Sequence, residues 1–262
     1  MILLSIVTIA YNNLNGLRST IDSIDKHLLE YSKLGYVEHI IIDGNSIDGT
    51  KSFLRKFSFC REVRNKYVSE PDHGIYDAMN KGVGLSSGEF VVFLNSGDEI
   101  SSKADIRELI LILEKCSFSV KEAGVALSAF MRFRGRGFVV HPRCVKRQSP
   151  RMPTVHQSMF FKRSVLLDFP LDISYKICGD YDNFARIFSS GLTFRVCDDL
   201  FSVFYVGGVS SKSPIKLFLE SSSVTKKYFH LGFSQRALVK VKLMSSLVLL
   251  QLLLILYGVH NS

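Results

Sequence analysis

Cysteine is sparse and shows no pairing pattern. Cys60, Cys116, Cys144, Cys178 and Cys197 are odd in number, widely spaced and never in a C-x-x-C pair. That spacing supports neither a disulfide framework nor a zinc site, and it fits a reducing cytoplasm. No G-x-G-x-x-G follows the first apolar run, so the dinucleotide-binding fingerprint is absent. The opening LLSIVTIAY has no basic n-region and no small-residue cleavage site, so a secretory signal is not expected. Internal repeats, low-complexity linkers and nucleic-acid recognition motifs are also missing, and nucleic acid is not an expected partner.

The most localised absence is of acid. Between Glu122 and Asp168 there is no carboxylate, while Arg132, Arg134, Arg136, Arg143, Lys146, Arg147, Arg151, Lys162 and Arg163 fall inside that window. The net charge of +9 is therefore concentrated there and the rest of the chain is close to neutral. Such a stretch suits an anionic partner, a phosphorylated substrate or lipid surface, or else forms a solvated basic face.

What is present is ample apolar material: 262 residues, 47% hydrophobic, enough for one substantial core in one or two lobes. The first half alternates strand and helix. Residues 3–10, 37–42, 66–69 and 89–94 read as strands, and 14–31, 50–57 and 75–85 as helices. This order implies a mostly parallel α/β sheet with right-handed crossovers. Beyond it, 105–116 reads as helix, 124–133 and 137–141 as a hairpin across Arg134-Gly135-Arg136, 157–162 as a strand and 183–188 as a helix.

In open α/β sheets ligands bind beyond the carboxyl ends of the strands. The run EFVVFL closes in Asn95-Ser96-Gly97, which delivers Asp98 to such an end. Asp77, Asn80 and Lys81 share one turn's worth of helix surface. Asp43 ends the second strand and is expected to point into the crevice, while Asp48 is placed to cap the following helix.

Five ordered blocks, SIVTIAYNN, IIIDGNSIDGT, SEPDHGIYDAMNKG, GEFVVFLNSGDE and CGDYDNFARIF, together resemble the family 2 inverting glycosyltransferases of bacterial surface-polysaccharide synthesis, closest to the colanic-acid type. The resemblance runs from about Leu3 to Ser210. It implies the GT-A fold, a mostly parallel Rossmann-like sheet with a smaller mixed acceptor-side region, a UDP- or GDP-type nucleotide-sugar donor, and Mg²⁺ or Mn²⁺. It assigns Ala10, Tyr11 and Asn12 to the nucleotide cradle and Asp43 to the nucleobase. Asp72, Asp77, Asn80, Lys81 and Asn95 fall on the donor side, and Asp98 takes the metal position. The family's usual D-x-D-D reads Asn95-Ser96-Gly97-Asp98 here, so only the last acid is kept. Asp180 is the implied general base, in a block where Gly179 replaces the usual acid. Asp182 reads instead as a helix N-terminal acid. His156 and Gln157 fall on the acceptor side, with a core role open for His156. Arg134 and Arg136 are expected to meet a polyprenyl-diphosphate-linked saccharide, and residues 207–210 resemble a segment that closes over the diphosphate.

The implied layout is a GT-A domain over 1–235, made of a nucleotide-sugar half 1–118, an acceptor-side half 119–212 and a connecting helix 213–235, then an apolar tail 236–262. The uncharged run Leu243 to Val259 follows Arg236, Lys240 and Lys242. Its ~17 residues fall short of a comfortable bilayer span, so it is expected at an anionic membrane surface on the cytoplasmic face, or else packed on the domain. The alternative functions are a non-catalytic sugar-nucleotide binding protein of this fold and a sugar-1-phosphate nucleotidyltransferase. The second wants a glycine-rich basic loop where this chain has Tyr11-Asn12-Asn13.

Overall fold

The computed structural model describes residues 2–59, 65–133, 136–145, 151–206 and 213–229. Strand β1 (Leu4–Ala10) and strand β2 (Val37–Asp43), separated by helix α1 (Leu14–Lys33), are buried along their whole length. That is the mark of parallel strands covered on both faces. Their polar residues are paired internally: Ser5 donates to Glu38, and Thr8 meets His39 at 2.8 Å. Burial pushes His39 down to about 3 and holds it neutral at ordinary pH. Helix α1 buries Leu17, Ile21, Ile24 and Leu28, the inward stripe of an amphipathic helix, and Asn13 caps it through Gly16 N.

Helix α2 (Thr50–Phe59), strand β3 (Asn65–Ser69), helix α3 (Ile75–Leu85) and strand β4 (Phe90–Phe93) complete a parallel β3-β2-β1-β4 unit. Asp48 caps as expected, accepting from Thr50 N, and it also accepts from Leu14 N at the start of α1. The short strand β5 (Glu99–Ile100) and helix α4 (Ile106–Ser117) lead into the long strand β6 (Glu122–Phe133) and its hairpin partner β7 (Arg136–Val140). A 3-10 turn (His156–Ser158), strand β8 (Met159–Lys162), helix α5 (Arg163–Asp168), helix α6 (Gly179–Ser189), strand β9 (Thr193–Tyr205) and helix α7 (Pro214–Tyr228) follow.

The nine strands among the described residues join one sheet in the order β3-β2-β1-β4-β8-β6-β9-β5, with β7 continuing alongside β6. The parallel unit passes into a mixed region at β8, which runs antiparallel to both β4 and β6. The two largest of four hydrophobic clusters among the described residues cover its faces. One gathers Leu4, Ile6, Phe90, Leu113 and Phe160, the other Val7, Ile40, Met79, Phe161 and Phe184.

The structure corrects three local expectations. Residues 157 and 158 belong to the 3-10 turn, so the strand begins at Met159. Helix α6 starts at Gly179 rather than Asn183, which puts Asp180 inside its first turn. Part of the basic window is engaged within the protein: Lys162 donates to the carbonyls of Ser117 and Ser119 at the end of α4, and Arg132, itself exposed, lies over the rings of Phe130 and Tyr205. The four described cysteines are free thiols. Among the described residues no helix is long and apolar enough to cross a membrane. Arg134, the 207–210 segment and the apolar tail lie outside the described residues.

Candidate active site

Because β1, β2 and β4 are parallel, their carboxyl ends emerge on one edge. Register sets Ala10 opposite Asp43 and Val7 opposite Phe93. β8 is antiparallel to β4, with Val92 opposite Phe160. The 3-10 turn at the start of β8 therefore meets the Asn95–Asp98 turn at the end of β4, and His156 and Gln157 are brought to Asn95 and Asp98.

The contacts follow from that meeting. Gln157 Nε2 donates to Asp98 Oδ2 at 3.0 Å, and Asn95 Nδ2 lies 3.1 Å from His156 Nε2. His156 Nδ1 is 3.3 Å from Asp180 Oδ2. Asp180 Oδ1 accepts from Tyr181 N at 2.8 Å, and the Tyr76 hydroxyl reaches toward it at 3.5 Å. Asp98 and Gln157 thus form one pair and Asn95, His156, Asp180 and Tyr76 a polar chain beside it, the two tied by the backbone bond from Asp98 N to Asn95 O and by the adjacency of His156 and Gln157. Tyr76 is the member that sequence reasoning missed, although its signal was its place in the same short helix as Asp77.

Burial pushes the Asp98 carboxyl up to about 6, with the His156 charge and the Gln157 hydrogen bond opposing it only in part. For His156, burial alone acts downward, but the Asp180 hydrogen bond and the charges of Asp180 and Asp98 leave it above the ordinary value. Asn95 Nδ2 is a donor, so His156 Nε2 accepts and the ring's proton sits on Nδ1, facing Asp180. Burial, with the Asp180 charge adding to it, holds the Tyr76 phenol protonated, far above the ordinary range. Asp182 is wholly buried and paired with Arg186 Nε at 2.8 Å, which agrees with an N-terminal helix acid.

At the exits of β1 and β2, Gly44 lets two loops approach. A Cβ there would stand 2.5 Å from Asp72 Oδ2 and 3.2 Å from the Tyr11 ring. Tyr11 is 67% exposed, while Ala10 is buried and accepts from Gly44 N. Asn12 has a left-handed φ of 47° and accepts from Ile47 N, locking the two turns together. Asp43, expected in the crevice, is held by its neighbours in this structure. It is 0% exposed, and its oxygens accept from Ser46 and Ser69, because the turn that follows β2 folds over its own strand end.

Asp77, Asn80 and Lys81 also act within the protein. Asp77 accepts from His73 N, and Lys81 pairs with Glu70 at 2.9 Å and with Pro71 O. Together they brace the loop that carries Asp72, which itself accepts from Gly74 N. Asn80 uses both ends of its amide on the backbone of Leu171. Arg136 is exposed at the start of β7, opposite Phe133.

Among the described residues no three His, Cys, Asp or Glu side chains converge as a metal cluster. The Asn95–Asp98 turn offers the Asp98 carboxylate and Asn95 Oδ1, which is buried without a hydrogen-bond partner. Two hard oxygens fit Mg²⁺ or Mn²⁺, since such ions take one or two protein ligands and complete their shell with substrate phosphates and water.

The family model described as Glycosyl transferase family 2 matches residues 5–164, more than half of the chain. An uncharacterized glycosyltransferase of Mycobacterium tuberculosis is 40% identical over 97 residues, 37% of this chain and 34% of that protein. A PGL/p-HBAD biosynthesis glycosyltransferase of Mycobacterium bovis is 26% identical over 157 residues, 60% of each chain. The matched stretch thus spans a third to three fifths of these relatives. The mannosyltransferase PcManGT from Pyrobaculum calidifontis, solved with GDP-Man and Mn²⁺, superposes with a TM-score of 0.66 at 16% identity, covering 98% of this chain and 76% of that one. That likeness establishes the GT-A fold.

Proposed function

The chain belongs to glycosyl transferase family 2, and from that premise we propose that it moves a sugar from a UDP- or GDP-type donor to a polyprenyl-diphosphate-linked saccharide. Transfer proceeds with inversion, by an enzyme of the colanic-acid type, in the building of a bacterial exopolysaccharide, O-antigen or capsule. What carries the reading is the convergence of Asp98 and Asp180, far apart in sequence, on the neighbouring side chains of Gln157 and His156.

In this reaction the acceptor oxygen attacks the anomeric carbon on the face opposite the leaving group, and its proton passes to Asp180. The bond from that carbon to the diphosphate oxygen breaks, and its electron pair leaves with the nucleoside diphosphate. Tyr181 N and His156 Nδ1 hold the two carboxylate oxygens, so the base meets the acceptor in a fixed orientation. Asp98 and Asn95 would hold a divalent ion, which would supply neutralisation of charge on the departing diphosphate. Tyr11, just past β1, and Asp72, past β3, flank Gly44 at the exit of β2 and are the side chains that meet the nucleotide.

The test is turnover of a UDP- and GDP-sugar panel by the purified full chain with a polyprenyl-diphosphate-linked saccharide. Asp180→Asn is expected to lower kcat by ~10²- to 10⁴-fold with donor affinity unchanged. Wild-type turnover in that variant refutes the base assignment. Donor binding by the native chain with neither transfer nor hydrolysis identifies the non-catalytic binding protein instead.

The location we propose is the anionic inner face of the membrane. It rests on the uncharged run Leu243 to Val259 and on Arg236, Lys240 and Lys242 ahead of it, each worth ~1 kcal/mol near anionic headgroups. Deleting residues 243–259 is expected to release the protein from anionic vesicles in a flotation assay, and undiminished flotation refutes it.

A further inference from the structure

Helix α6 carries Asp180 in its first turn, yet its N-cap residue, Cys178, makes no side-chain capping bond. The amides that lead into the helix are satisfied from elsewhere in the chain. Glu220, on α7, accepts from Lys176 N at 3.2 Å through Oε1, and from Ile177 N and Cys178 N at 2.9 Å each through Oε2. A carboxylate receiving three backbone donors at a helix N-terminus is a strong, directional anchor. The same segment is gripped from the opposite side of the chain by Tyr76, whose hydroxyl donates to Ile177 O at 2.5 Å. Its ring packs against Gly179 so closely that a Cβ there would stand 2.7 Å away. α7 is itself fixed on α6 by Val224 packing against Ala185 and by the contact of Tyr181 with Thr225 at 3.1 Å.

We propose that Glu220 is a positioning residue for the reaction: it sets the backbone from which Asp180 projects, so that α7 belongs to the catalytic apparatus without touching substrate. The inference rests on Asp180 being the base. Misplacing a reacting group by about 1 Å can cost about 10²-fold in rate, and that is the loss expected for Glu220→Ala in kcat, with donor KM unchanged.

Two further variants separate geometry from fold. Glu220→Gln keeps the reach and an acceptor oxygen, whereas Glu220→Asp keeps the charge but is one methylene short. The expected order of kcat is wild type, then Gln, then Asp, then Ala, at constant donor KM. Because Glu220 acts through Asp180, Glu220→Ala added to Asp180→Asn is expected to cost nothing more.

Wild-type kcat in both Glu220→Asp and Glu220→Ala overturns the proposal, as does an undiminished Glu220→Ala effect in the Asp180→Asn background. Should Glu220→Ala fail to fold, equal kcat in the Asp and Gln variants overturns it. Wild-type kcat in Asp180→Asn itself brings down the base assignment, whereas an impaired Asp180→Asn beside wild-type Glu220 variants brings down this inference alone.

Discussion

Asp98→Asn is expected to stabilise the metal-free protein while disabling it. The Asp98 carboxyl is 7% exposed, and burial raises it from the ordinary 3.8 to about 6. The folded chain therefore keeps a proton that the unfolded chain releases over that interval. For an acid raised in this way, the stabilising contribution is complete below the unfolded value and is lost as pH rises through the folded one. At about pH 8 the ionised, buried group costs roughly 3 kcal/mol relative to its protonated form. Asparagine has the shape of the protonated acid and keeps an oxygen for Gln157 Nε2.

Urea unfolding in excess chelator should give similar stabilities for both proteins near pH 4 and a gap opening toward about pH 8, with the variant the more stable by roughly 3 kcal/mol. His156, the facing titratable group, is present in both and contributes to both curves. In Mn²⁺ with a nucleotide sugar the order should reverse: the wild type gains thermal stability from the ligands and the variant gains none. A variant no more stable than the wild type near pH 8 in chelator would refute the burial argument, and full donor turnover by it would refute the metal position.

Gly179→Ala should gain up to about 1 kcal/mol from helix propensity alone, but its Cβ would stand 2.7 Å from the Tyr76 ring, and such crowding costs roughly 1–3 kcal/mol. The expected outcome is a lower melting temperature together with a lower kcat, and a more stable, fully active variant would show that Tyr76 yields freely. Replacing Arg134 and Arg136 by glutamine should raise the KM for a lipid-diphosphate acceptor, more so at low salt, with donor binding unchanged. An acceptor KM that stays constant across ionic strength would leave these arginines as a solvated face.

The parallel half of the fold was legible because its signals are local. Whole-strand apolar runs gave β1, β2 and β4, the spacing of Leu17, Ile21, Ile24 and Leu28 gave α1, and the Asn95–Asp98 turn stood out at a strand end. Strand β9 was not legible. Ala126 pairs with Val196 and Ser128 with Leu200, so the Cys197-Asp198-Asp199 stretch bulges against one residue of β6 and breaks the alternation that marks a strand. The start of α6 was misplaced because Cys178 is no capping residue. The amides that lead into α6, up to Cys178 N, are held instead by Glu220, on a helix more than forty residues further along the chain.

By itself, then, the sequence determined which residue types end each strand and which blocks belong to a nucleotide-sugar site, since periodicity, turn chemistry and motif order are properties of neighbours along the chain. Only the tertiary structure decided which of those side chains are free to meet a ligand. Asp43 and Asn80 are tied to Ser46 and Leu171, while Lys81 pairs with Glu70 and keeps 27% of its side chain exposed. Asp98 and Asp180 are joined through Gln157 and His156 because β8 runs antiparallel beside β4. A polar group acts on a ligand only if the fold leaves it an unused direction, and that depends on contacts between residues distant in sequence, whose closure no local pattern encodes.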